Sequence, residues 1–366
     1  MTEEGQQVAI EEEEEGLISR GKWADPSKIH VEQRSVNLGT LIGMLKGQQI
    51  VFDTEFQRAK GLWTKVEKSR LIESVLLGLP LPSFFFSERE ESEYEWEIID
   101  GLQRLSALQE FFVDKKLTLT NLDFLHEHEG KTYESFSPKE RWRMDMLMVT
   151  LNVVTRQTPG DVKYMIFKRV NSVSYVLTPQ EMRHALLHGR PAEYVKELAE
   201  SYAFVNATAN TTFRRMEDRE LVTRYLAFKL QSYEGDMELN EFLFKGMELL
   251  KTLSVDDLNW HKLLFYEVLE TANDIFMGSA FRKPSSNNRR NPISKALFDA
   301  VTITLSELTS AQRERLRSMP TVFNQEFEKR YKESDEFKRD LTTGTAQKAA
   351  VKRRWQIMRE IIDSVL

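Results

Sequence analysis

YEWEIIDGLQRLSALQEFF, residues 94–112, changes its hydrophobic period midway and so joins a strand to a helix. It opens as a strand: Tyr94, Trp96, Ile98 and Ile99 are β-formers, and polar Glu95 and Glu97 alternate among them. The chain turns at Asp100-Gly101. From Leu102 the period becomes helical, with Leu105, Leu108 and Phe112 on one face. A strand that breaks at Asp-Gly and feeds a helix leaves backbone N–H groups open at the turn, which suits an anion. Gly101 lets a ligand approach the backbone closely, and Arg104 in the first helical turn has the fork geometry for phosphate. The same residues also read as a tight turn carrying a surface arginine.

Working outward, Val36 to Lys46 patterns as a short amphipathic helix and Val51 to Phe56 as a strand that delivers Gln57-Arg58 to a loop. Lys65 to Gly78 reads as a helix ended by Gly78, and Pro80 and Pro82 block its continuation. Phe84-Phe85-Phe86 is an apolar strand core. Ser137, with Pro138 and Glu140, starts a helix, Met146 to Thr155 alternates as a strand, and Asp161 to Val170 is a helix. That last helix carries Lys168 and Arg169 and leads to Asn171. Thr178-Pro-Gln-Glu181 has the form of a capping box, which by itself explains Glu181; the alternative makes Glu181 a pocket acid or a brace for an arginine.

Beyond Pro191 strand signals fade. Ala192–Ala203, Arg219–Gln231, Glu238–Leu253, Lys262–Phe276, Ile293–Leu308, Ser310–Arg317, Val322–Phe337 and Thr345–Leu366 all carry helical periodicity. The expected organisation is an acidic, disordered tail over residues 1–28, an α/β domain over 29–190 and a helical domain over 191–366, an α+β chain as a whole. The tail contains five consecutive glutamates, Glu11 to Glu15, which repel and stay solvated. A basic loop holds Arg282, Lys283, Arg289 and Arg290, and the last helix holds Lys348, Lys352, Arg353 and Arg354. Either could touch a nucleic-acid backbone or simply complement its surroundings.

Three motif groups follow in order: Gln57-Arg58, Trp63, Leu71-Ile72-Glu73-Ser74 and Gly78-Leu-Pro-Leu-Pro82; then Asp100-Gly-Leu-Gln-Arg104; then Phe167-Lys-Arg-Val-Asn171 with Leu177-Thr-Pro-Gln-Glu181. Together they resemble the N-terminal domain of GmrSD-type restriction proteins over roughly residues 35–190. That family has a DGQQR signature, and the resemblance implies a ParB/sulfiredoxin-like fold for the N-terminal domain, followed here by an all-helical domain. One departure stands in the signature, where Leu102 replaces the usual glutamine. The chain has no cysteine, so sulfiredoxin chemistry, disulfides and thiolate metal sites are excluded.

Further classes fall away. His184 and His188 have the i,i+4 spacing of a metal pair, yet no glutamate of the HExxH kind and no third ligand accompany them. The last histidine is His261, so a built-in HNH nuclease is not expected, and there is no Walker lysine motif. No apolar run suits a bilayer and no signal peptide is visible, so the expected compartment is the cytoplasm. Net charge is -6, which advertises no nucleic acid globally.

The resemblance implies a nucleotide-binding, NTP-hydrolysing sensor in an anti-phage or restriction-type system, acting with a partner nuclease in trans. In this reading Asp100, Gln103 and Arg104 form the catalytic set, with Asp100 orienting Mg²⁺ or a water. Gln57, Arg58, Gly101, Lys168, Arg169, Asn171 and Glu181 line the nucleoside triphosphate. A ParB-like DNA-binding regulator without catalysis is the alternative, contacting DNA through Arg282, Lys283, Arg289 and Arg290. An interaction scaffold in which Arg58 and Arg104 merely pair with Asp100 is the third, and self-association into a homo-oligomer stays open.

Overall fold

In the computed structural model the described residues are 10–11, 26–51, 63–89, 95–170, 178–234, 237–285 and 290–366. The chain divides into two units, one of Ala24–Thr178 and one of Met1–Trp23 with Pro179–Leu366. In the first unit β1 (Val31–Asn37), β2 (Ile50–Val51), β3 (Phe84–Glu88), β4 (Trp96–Asp100) and β5 (Met148–Val154) make a sheet of order β1-β5-β3-β4-β2. The β1–β5 and β3–β4 pairs are antiparallel, and β3–β5 and β2–β4 are parallel.

The helices of this unit start and stop on local signals. Helix α1 (Leu38–Lys46) begins where the Asn37 side chain accepts from the Thr40 N–H. The apolar periodicity extends this helix back to Val36, whereas Val36 and Asn37 end β1 in the structure. That strand was not expected from VEQRSVN, because an exposed edge strand needs no apolar alternation. Helix α2 (Lys65–Leu77) opens with a Thr64–Glu67 capping box and ends at left-handed Gly78, φ +73°. Helix α3 (Leu102–Leu108) runs into a π-helical turn, Gln109–Val113. Helix α4 (Pro138–Asp145) carries a Ser137–Glu140 box, and α5 is Gly160–Val170. Leu38, Leu41, Ile72, Phe84, Phe86, Leu105, Leu108 and Leu151 fill the core between sheet and helices.

The second unit is helical: α6 (Pro179–Leu186), α7 (Arg190–Ala199), α8 (Tyr202–Ala207), α9 (Glu217–Leu230), α10 (Leu239–Leu249), α11 (Val255–Ile275), α12 (Lys295–Ser306), α13 (Ser310–Arg317), α14 (Pro320–Glu333), α15 (Asp335–Asp340) and α16 (Lys348–Val365). The expected helix at Lys262 begins earlier, at Val255, because Ser254 and Asp257 form a capping box. The expected Val322–Phe337 helix breaks at Ser334, whose side chain caps α15. Helix α12 is buried from Ala296 to Ser306 and packs against α9, α11 and α16. Its Asp299 is wholly buried and takes Arg224 of α9 in a fork at 2.5–3.1 Å and Arg354 of α16 at 3.1 Å. Ile10 bridges to Ile293, and Glu11 pairs with Lys283 at 2.8 Å; Glu12–Glu15 lie outside the described residues. The chain is thus mixed α+β, with the sheet in its N-terminal part and helices in its C-terminal part. Among the described residues no helix is long and apolar enough to cross a membrane.

Candidate functional site

The Asp100 turn is shaped before any side chain is placed. Phe86 pairs with Ile98, and one step on Phe85 pairs with Asp100, so β4 carries an extra residue, a bulge, where the strand ends. Gly101 follows at φ +101°, where a side chain is strained. A Cβ there would also lie 2.7 Å from Cδ1 of the buried Phe84 ring. The glycine is fixed twice, by its dihedral and by the aromatic wall beneath it.

Arg104 closes the turn. Its Nη2 donates to Asp100 Oδ2 at 2.7 Å, and its Nη1 donates to the carbonyls of Pro82 and of Ser83, the latter at 3.2 Å. The guanidinium lies 4.8 Å over the Phe84 ring centroid. Burial pushes the guanidinium pKa down, against the pull of the Asp100 carboxylate. Arg104 therefore staples the Pro82–Ser83 segment to the end of β4.

Gln103 has a different task. Its Oε1 accepts the Trp63 N–H at 3.0 Å. Val51, on the other side of residues 52–62, pairs with Glu97 of β4. Both described neighbours of the stretch that contains Gln57 and Arg58 are thus tied beside the turn; Gln57 and Arg58 themselves lie outside the described residues. Leu102 is half-buried. Lys168 and Arg169 stand in the last turn of α5, a helix that packs on β4, and Asn171 lies outside the described residues.

The remaining expected residues sit in the second unit. Glu181 is buried and forks onto Arg215 at 2.7 and 3.2 Å, which is the arginine brace among the readings left open for it. Arg282 donates to the Asn291 carbonyl and to Thr211 Oγ1 at 2.7 Å, and burial, with Arg290 adding to it, brings its pKa down to about 10. Lys283 holds Glu11, and Arg290 reaches the Gly278 carbonyl at 3.1 Å; Arg289 lies outside the described residues. In the last helix Arg354 is buried on Asp299, Arg353 forks onto Asp340, Lys348 is half-buried and Lys352 is exposed.

Glu73, which stands in the Leu71–Ser74 motif without an assigned role, holds the first unit's long loop. Glu73 of α2 accepts from the N–H groups of Asp123, Phe124 and Leu125 at 3.0, 2.7 and 2.7 Å. Burial raises its pKa, but the three amides together outweigh this and hold it below the usual glutamate value. The signal was present: a glutamate at a core-facing position between Ile72 and Val75 needs partners.

As a magnesium site the turn fits one use. Asp100 Oδ2 is taken by Arg104, which leaves Oδ1. Magnesium that arrives on a triphosphate needs only one or two protein carboxylates, with phosphates and waters supplying the rest. Among the described residues no cluster of three His, Asp or Glu suits a metal held by protein alone.

An α+β domain built on a bulged strand, a left-handed glycine and a half-buried Asp–Arg staple is the class these observations define. Residues 41–188 match the family model described as GmrSD restriction endonuclease, N-terminal domain. No curated protein and no solved structure matches the chain.

Proposed function

We propose that the chain is the sensing component of a restriction-type defence system, and that its N-terminal unit takes a nucleoside triphosphate with Mg²⁺ at the Asp100–Gly101 turn. The observation that carries this reading is the match of residues 41–188 to a restriction endonuclease domain. The geometry of the turn supports it. Gly101 keeps the backbone clear of side chain, so phosphate oxygens can approach the amides. Arg104 is a positioning residue: it fixes the Asp100 carboxylate, whose second oxygen would hold the magnesium or a water. Arg58, Gln57, Lys168, Arg169 and Asn171 are the groups assigned to the phosphates, and Gln103 anchors the segment that bears Arg58.

In hydrolysis, water attacks the γ-phosphorus and the bond to the β-bridging oxygen breaks, releasing a nucleoside diphosphate and phosphate. Positioning and charge neutralisation carry such a step. The nucleotide state then licenses a nuclease supplied in trans, with DNA as the sensed partner. Purified protein is heated with each nucleoside triphosphate and Mg²⁺. One nucleotide raises the melting temperature, equivalent to about 2.7 kcal/mol at a hundredfold excess over Kd. Arg58→Ala removes the shift while its ligand-free melting temperature stays unchanged. No shift with any nucleotide overturns the reading; phosphate release in the responsive case separates hydrolysis from binding.

A further inference from the structure

Strand β1 forms one edge of the sheet, and its residues Val31 to Ser35 are exposed. Natural edge strands are protected by charged side chains, proline, a bulge or a cover. This one has no proline and pairs with β5 through seven uninterrupted steps, and its two charges, Glu32 and Arg34, are of opposite sign, so they repel a copy of the same edge in some registers and attract it in another.

The hydrogen-bond phase fixes what the edge offers. The Leu38 N–H donates to the Leu147 carbonyl, and the Thr155 N–H donates to the His30 carbonyl. In an antiparallel ladder the bonded residues alternate, so the even-numbered positions face β5. The amides and carbonyls of Val31, Gln33 and Ser35 point off the sheet.

We propose that this edge pairs with the same edge of a second copy, antiparallel about a two-fold axis through Gln33. In that register Gln33 lies opposite Gln33 and Val31 opposite Ser35, so every bonded pair joins outward-facing residues. Glu32 then stands opposite the partner's Arg34 and Arg34 opposite the partner's Glu32, at the non-bonded positions where side chains come closest. The symmetric neighbouring registers that keep the hydrogen-bond phase set Glu32 against Glu32 or Arg34 against Arg34. The charges therefore select one register and one occupant, a second copy. Within one chain Arg34 already bonds Glu32 at 2.6 Å and lies 5.2 Å from the Trp96 ring centroid, so both side chains sit on one face, poised for a shared four-charge cluster. A strand-edge contact alone is a small interface, so the dimer is expected to be concentration-dependent.

Sedimentation velocity over a wide concentration range tests this, with circular dichroism to check each variant's fold. Wild type shifts from monomer to dimer. Gln33→Pro removes an outward N–H without touching a β5 hydrogen bond and yields a monomer. Glu32→Arg and Arg34→Glu each weaken the dimer about tenfold or more, because two symmetric pairs turn repulsive together. The double exchange, Glu32→Arg with Arg34→Glu, restores it. A wild type that stays monomeric, a dimer indifferent to Gln33→Pro, or a double exchange that fails to recover overturns the proposal.

Discussion

Replacing Gly101 by alanine tests the turn directly, and Gly78→Ala is its control. Both glycines have positive φ, +101° and +73°. At Gly78 an added Cβ meets nothing within 4 Å, so only the dihedral penalty applies, about 1 kcal/mol. At Gly101 the dihedral lies further from the left-handed well, and the new Cβ sits 2.7 Å from Phe84 Cδ1. Phe84 is fully buried against Phe86 and cannot swing away without displacing core, so overpacking adds about 1–3 kcal/mol. The sum for Gly101→Ala is about 2–5 kcal/mol. Hydrogen exchange of peptides spanning β3, β4 and α3, read by mass spectrometry, reports this unit separately from the helical one. Protection there should fall at least about tenfold further in Gly101→Ala than in Gly78→Ala. Equal losses in the two variants would refute the argument that Phe84 fills the glycine's missing side chain.

Two further outcomes follow from buried charges. Asp299→Asn strips the counter-charge from Arg224 and Arg354 and should cost about 3–5 kcal/mol in urea unfolding, whereas Asp363→Asn, on an exposed pair with Arg359, should cost less than about 1 kcal/mol. Similar costs at the two sites would mean that Asp299 is not the hub of the helical unit. Glu73→Gln should destabilise the Asp123–Leu125 segment by about 2–4 kcal/mol, seen as faster exchange of those three amides. Because the folded pKa of Glu73 is depressed, its contribution is complete above the unfolded value. It is lost as pH falls below the ordinary 4.5 and through the folded value. Wild type and Glu73→Gln should therefore converge in stability in acid, and a gap that widens there would contradict the assignment.

Much of the local architecture was legible. Ser137, Pro138 and Glu140 mark a helix start because the capping signal is complete within four consecutive residues. Gly78 and Gly101 mark an end and a turn because backbone conformation is a property of the residue itself. The switch from period two to period three and a half across Asp100 placed β4 and α3 where the structure has them, to within two residues at the strand's start.

Local sequence carries the succession of elements and the turn that anchors the candidate site. The tertiary structure alone decided what the charged residues do. Arg104 reads as a phosphate fork until the Pro82 and Ser83 carbonyls, more than twenty residues back, claim its Nη1. Asp299 meets Arg224 and Arg354 across 75 and 55 residues of chain, and Glu73 meets its amides across some fifty. β1 is a strand only because β5 lies beside it. Short-range patterns encode how the backbone bends. A long side chain's partner depends on which elements dock, and no local pattern carries that information.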